Sequence, residues 1–78
     1  MLSSRLNQTR KSRKITAQQM ADSLSMGLRS YRNYESGDRS PSLDILVKIA
    51  DILSVPTDYL LGRDEYLESL GVSVDEFL

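Results

Sequence analysis

The sequence contains no cysteine and no histidine. Without cysteine there is no disulfide framework and no thiol chemistry. Without either residue a zinc site lacks its usual ligands, and Ser-His-Asp or Cys-His catalysis is excluded. No apolar run exceeds three residues, as in Ile45-Leu46-Val47 and Tyr59-Leu60-Leu61. A membrane-spanning helix needs about 20 and a secretory signal roughly 7–15, so the expectation is a cytoplasmic protein. The only prolines, Pro41 and Pro56, each stand where a helix should start, a position that tolerates the missing N–H. No stretch alternates apolar and polar residues for long enough to suggest a strand.

What is present is a chain of 78 residues, enough for one domain. A chain of this size buries only about 60–65% of the surface that its unfolded form exposes, so its core must be economical. The net charge of −1 hides a division. Residues 1–39 hold eight Lys/Arg against three acids, a balance of +5, and residues 40–78 hold two against eight, a balance of −6. Such a chain can turn one half toward a polyanion and the other away, although a charge run on its own is more often a solvated face.

Hydrophobic spacing predicts short helices with sharp stops. The first runs from about Ser4 to Lys14, with Leu2, Leu6 and Thr9 on one face. The second starts at Thr16, where Thr16-Ala17-Gln18-Gln19 matches a capping box, and stops near Ser25. The third spans Leu28 to Ser36, with Gly37 as its C-cap. A fourth, from Ser42 to Leu53, is the most apolar element and the expected centre of the core. A fifth runs from Thr57 to Leu61 and ends at Gly62. Residues 65–70 read as one or two further turns before a break at Gly71. The stretch from Leu70 to Leu78 echoes that from Leu53 to Leu61, which fits either a generic helix–turn–helix join or an appendage packed on the domain or on a second subunit.

The third helix carries the functional argument. Leu28, Tyr31 and Tyr34 face one way, while Arg29, Arg32, Asn33 and Ser36 face the other. Two helices of about eight residues separated by three form a helix-turn-helix unit over residues 16–36. Such a unit presents its second helix to the major groove. There arginine pairs with guanine O6 and N7, and asparagine with adenine N6 and N7. By itself such a polar helical face is more often a solvated strip. Its position directly after a capped helix and a three-residue turn separates the two readings.

The order of these residues resembles the Cro and phage-repressor type of helix-turn-helix domain, the lambda-repressor-like fold. The resemblance runs from about Leu2 to Gly62. Its parts are Arg10-Lys11, Ile15-Thr16, Met20-Ala21, Leu24, Tyr34-Glu35-Ser36-Gly37, Pro41-Ser42-Leu43, Leu46, Ile49-Ala50, Leu53, Val55 and Asp58-Tyr59-Leu60-Leu61-Gly62. It implies an all-α fold, a compact bundle of five short helices over residues 1–62, to which the spacing adds a short helical extension over residues 63–78. The third helix becomes the recognition helix, with Leu28, Arg29, Arg32 and Asn33 as the base-contacting residues. Gln18, Ser30, Ser36, Arg39 and Ser42 become the phosphate-contacting residues, Ser42 serving equally well as an N-cap. Arg10 and Glu35 resemble the family's ion pair between the first helix and the end of the third. Four positions depart from the family pattern. Ala17 stands where glutamine reaches a phosphate, leaving Gln18 as a substitute. Ser25 stands where glycine makes the turn, at roughly 1 kcal/mol if left-handed. Gly27 replaces a Ser or Thr cap. Tyr31 replaces a β-branched aliphatic and needs room, plus a partner for its hydroxyl.

The resemblance thus implies a sequence-specific regulator of transcription, repressor-like and of phage or prophage type. It would bind double-stranded DNA as a homodimer, with two recognition helices about 34 Å apart on a palindrome. The acidic half and the extension keep a second expectation open, that of a protein-interaction module such as an antitoxin or anti-repressor with a protein partner. No cofactor, metal or catalytic residue is expected, because no nucleophile–base pair or phosphate loop stands out.

Overall fold

The computed structural model describes residues 2–78. Six α-helices follow one another: α1 (Leu2–Ser12), α2 (Ala17–Ser23), α3 (Leu28–Ser36), α4 (Leu43–Leu53), α5 (Thr57–Leu60) and α6 (Asp64–Ser69). A 3-10 helix follows at Val74–Phe77, and the described residues include no strand. Among the described residues, two α-helix starts are fixed by side chains. Thr16 Oγ1 accepts from the Gln19 N–H at 3.0 Å, while the Thr16 N–H donates to Gln19 Oε1 at 2.9 Å, a complete capping box. Ser42 Oγ accepts from the Ile45 N–H at 3.2 Å and caps α4.

The stops share one device. At the ends of α1, α2, α4, α5 and α6 an N–H bonds back to the carbonyl five residues earlier: Ile15 to Arg10, Met26 to Ala21, Val55 to Ala50, Arg63 to Asp58 and Val72 to Leu67. The residue just before each donor is left-handed: Lys14, Ser25, Ser54, Gly62 and Gly71, with φ between 57° and 81°. This is the Schellman stop, which satisfies carbonyls that a helix end leaves unpaired. In four of the five the donor is apolar (Ile15, Met26, Val55 and Val72) and packs into or against the core. Four of the five stops therefore end a helix and also anchor the next segment.

Leu6, Met20, Tyr31, Ile49, Leu53 and Leu60 are fully buried, and Tyr31 is the largest of them. They come from α1 to α5, so the core is shared among these helices. The extension closes onto it. Leu67 of α6 is buried, and the Phe77 ring lies 5.1 Å from that of Tyr59. Arg5 grips Asp64 through both carboxylate oxygens, donates to the Tyr59 carbonyl at 2.8 Å and lies over the Tyr59 ring. Arg13 donates to the carbonyls of Leu53 and Phe77.

Several boundaries and faces differ from the sequence expectation. The first helix begins at Leu2 and ends at Ser12, because Lys14 is left-handed and closes the Schellman turn. Thr16 is the cap of the second helix and lies outside it, and that helix ends at Ser23. Helix α5 stops at Leu60, and α6 lies one residue earlier than expected. On α4, Leu43 and Val47 are 81% and 50% exposed and do not join the core stripe.

Candidate nucleic-acid interface

The α2–turn–α3 unit is built from the inside outward. Tyr31 and Tyr34 form the inner face of α3 and meet edge to face, with centroids 6.4 Å apart. Arg29, Ser30, Arg32 and Ser36 are exposed on the other side, and Asn33 and Leu28 are half-buried. Ser25 takes up φ 57° in the turn. Gly27 caps α3 with backbone alone, since it brings no side-chain hydrogen bond. Gly37 ends α3 at φ 84°, and a Cβ there would come within 3.5 Å of Ser3 Oγ.

Glu35 anchors α3 to α1. Its Oε2 accepts from Arg10 Nε at 2.6 Å and from the Tyr31 hydroxyl, and its Oε1 accepts from Asn7 Nδ2 at 2.7 Å and Arg10 Nη2 at 3.1 Å. Arg10 Nη1 donates to the Ile15 carbonyl at 2.8 Å, which adds the α1–α2 turn. Both charged side chains are only 11% exposed. Burial works to raise the Glu35 carboxyl, and the hydrogen bonds from Arg10, Tyr31 and Asn7 outweigh it, holding the group below its ordinary range. Burial and the adjacent carboxylate push the Tyr31 phenol up, so it stays a donor.

The basic half divides by role. Arg5, Arg10 and Arg13 are engaged inside the molecule. Among the described residues, Lys11, Lys14, Arg29, Arg32 and Arg39 are exposed and their side chains make no hydrogen bond or ion pair. The expected phosphate contacts sit in mixed surroundings. The Arg39 backbone is fixed by its N–H to the Asn33 carbonyl, with the side chain free. Ser42 caps α4. Gln18 Nε2 donates to Asp22 Oδ1 at 2.8 Å, and the Ser36 hydroxyl donates to Asp38 Oδ2 at 3.0 Å. Ser36 must give up its carboxylate partner before it donates to a phosphate, whereas the Gln18 amide keeps a second N–H to offer.

Tyr31 and Asn7 are the partners of Glu35 that the sequence reading missed. The signal was spacing: Tyr31 precedes Glu35 by one helical turn, and Asn7 precedes Arg10 by three residues, so each pair shares a face.

The helix-turn-helix family profile matches residues 6–60. The chain belongs to this family, in its Cro and phage-repressor type. Helix-turn-helix relatives agree. The cryptic phage CTXphi transcriptional repressor RstR of Vibrio cholerae serotype O1 is 48% identical over 59 residues, covering 76% of this chain and 53% of the relative. The HTH-type transcriptional regulator ImmR of Bacillus subtilis is 39% identical over 64 residues, covering 82% and 50%. A third, the SPbeta prophage-derived uncharacterized HTH-type transcriptional regulator YonR of the same organism, is 41% identical over 61 residues, covering 78% and 56%. The chain spans about half the length of these curated relatives. No solved structure is a significant match. These relatives are named as regulators and not as enzymes. No helix among the described residues is long and apolar enough to cross a membrane.

Proposed function

We propose that this helix-turn-helix protein is a small transcriptional regulator that reads double-stranded DNA with α3 in the major groove. One observation carries the reading: the outer face of α3 offers Arg29 and Arg32 exposed and unpartnered, while its inner face is fixed to α1 through Glu35. A reading helix needs both properties, since free donors on a loose helix find no register and a fixed helix without donors reads nothing. Arg29, Arg32 and Asn33 supply the base contacts, and Leu28 meets a thymine methyl. Arg39, Ser42 and Ser30 hold phosphates, joined by Gln18 through its second amide N–H and by Ser36 when it leaves Asp38. Two copies on a palindrome would place their recognition helices about 34 Å apart. The relatives' names, repressor and regulator, support the same role.

The test is selection of bound duplexes from a random DNA pool by the purified chain. The expected product is a palindromic consensus with half-sites about one helical turn apart. Recovery of no consensus contradicts the reading. A second reading, a protein-interaction module, is favoured by the acidic second half, with Tyr66 exposed on α6 and Leu70 exposed just after it. It predicts capture of a protein partner by a chain that shifts no duplex at low salt.

A further inference from the structure

The Glu35 carboxylate is filled from both sides. Asn7 and Arg10 reach it from α1, and Tyr31 reaches it from α3 itself. The ion pair with Arg10 explains why α3 stays near α1, but not why it holds one rotation. Glutamate has three side-chain torsions, so a carboxylate held only from α1 would let α3 turn about its own axis while the pair stayed intact. Tyr31 removes that freedom. Its ring has two torsions and is fully buried in the core, and its hydroxyl sits one helical turn from Glu35 on the same face. The rigid path then runs from α1 to the carboxylate and through the Tyr31 ring to the α3 backbone. Asn7 completes it by holding the second oxygen.

From this geometry we infer that the Tyr31 hydroxyl and the Asn7 amide are positioning groups for DNA reading, fixing the rotation of α3 through Glu35. The inference rests on the reading of α3 as the helix that meets the bases. Its size follows from helix geometry. A group at the rim of a helix lies about 6 Å from the axis, so a 10° rotation moves it by about 1 Å. A bidentate arginine contact tolerates about 0.5 Å. Arg32 follows Tyr31 directly in the chain and shares any such rotation. The cations that face backbone phosphates meet a weaker demand, because their attraction acts largely as a field over a longer range.

The test uses Tyr31→Phe, which keeps the ring and its volume, and Asn7→Ala, which changes a half-buried position and covers the case in which Tyr31→Phe does not fold. Binding is measured at 25 °C to the duplex selected by the parent and to a random-sequence duplex, with circular dichroism checking that each variant is folded. For either variant, affinity for the selected duplex should fall about ten-fold. Affinity for the random duplex and the slope of binding against salt should stay as in the parent. Adding Tyr31→Phe to Arg32→Ala should cost less than it does alone, because one of the contacts being positioned is already gone. Equal losses on both duplexes, or no loss on the selected one, would overturn the inference. If Arg32→Ala leaves the parent's discrimination between the duplexes intact, the reading of α3 fails instead, and that outcome shows in the absence of any change at Tyr31.

Discussion

Glu35 receives four hydrogen bonds in a nearly buried site, and Arg10 beside it would be left without its counter-charge if the carboxylate were removed. Glu35→Ala should therefore destabilise the fold by about 3 kcal/mol, as expected for breaking one side of a buried ion pair. Urea unfolding checks this, and a midpoint equal to the parent's would show that the cluster carries no stability. The resemblance put Arg10 beside Glu35, and the coordinates bring them to 2.6 Å. It gave no place to the Tyr31 hydroxyl, because an aliphatic at that position has no donor. A second residue-scale prediction concerns Ser54, which ends α4 at φ 57°. Glycine removes the left-handed strain of about 1 kcal/mol and loses part of that gain to the freer unfolded chain. Ser54→Gly should raise stability by about 0.5 kcal/mol, a shift of some 2–4 °C in the thermal midpoint. A lower midpoint would mean that the serine does something the backbone geometry omits.

Among the helices, starts were more legible than stops. Thr16 with Gln19, and Ser42 before Leu43, carry side-chain signals that the caps use as written. The stops at Lys14, Ser25 and Ser54 rest on left-handed residues that are not glycine. Of these, Ser25 was legible, as the residue at the position where the family has glycine, whereas nothing in Lys14 announces a Schellman turn. Exposure along α4 was also hidden, because Leu43 and Val47 fit the apolar period but stay exposed in the fold. The extension depends on contacts made across most of the chain, such as Arg5 with Asp64 and Arg13 with the Phe77 carbonyl, and sequence spacing carries no record of these. Since Phe77 is half-buried against Tyr59, Phe77→Ala should cost about 1–2 kcal/mol, less than the 3–5 typical of a fully buried phenylalanine. A thermal midpoint equal to the parent's would indicate that the extension is only loosely attached.

For the molecule as a whole, the charge division acquires a structural form: three arginines of the basic half hold the fold together and five cations remain free. Arg39→Ala should lower the slope of log affinity against log salt by about 1 and weaken binding to all duplexes alike. A change confined to one sequence would instead make Arg39 a base contact. Acid acts on the fold through Glu35 and Asp64, both held below their ordinary values of 4.5 and 3.8. Through these two carboxylates the folded and unfolded chains differ in protons bound only toward low pH. The stability is present above the ordinary values and is lost as pH falls through the lowered ones. Thermal midpoints should be level from neutral pH down to about 5.5 and fall below about 4.5. Midpoints unchanged down to pH 3 would contradict this. The central claim is that the outer face of α3 distinguishes bases, and the most direct measurement is the ratio of affinities of Arg32→Ala for the selected duplex and for a random one. The account predicts a loss of about 1–3 kcal/mol on the selected duplex with a much smaller loss on the random one. A ratio equal to the parent's would contradict it.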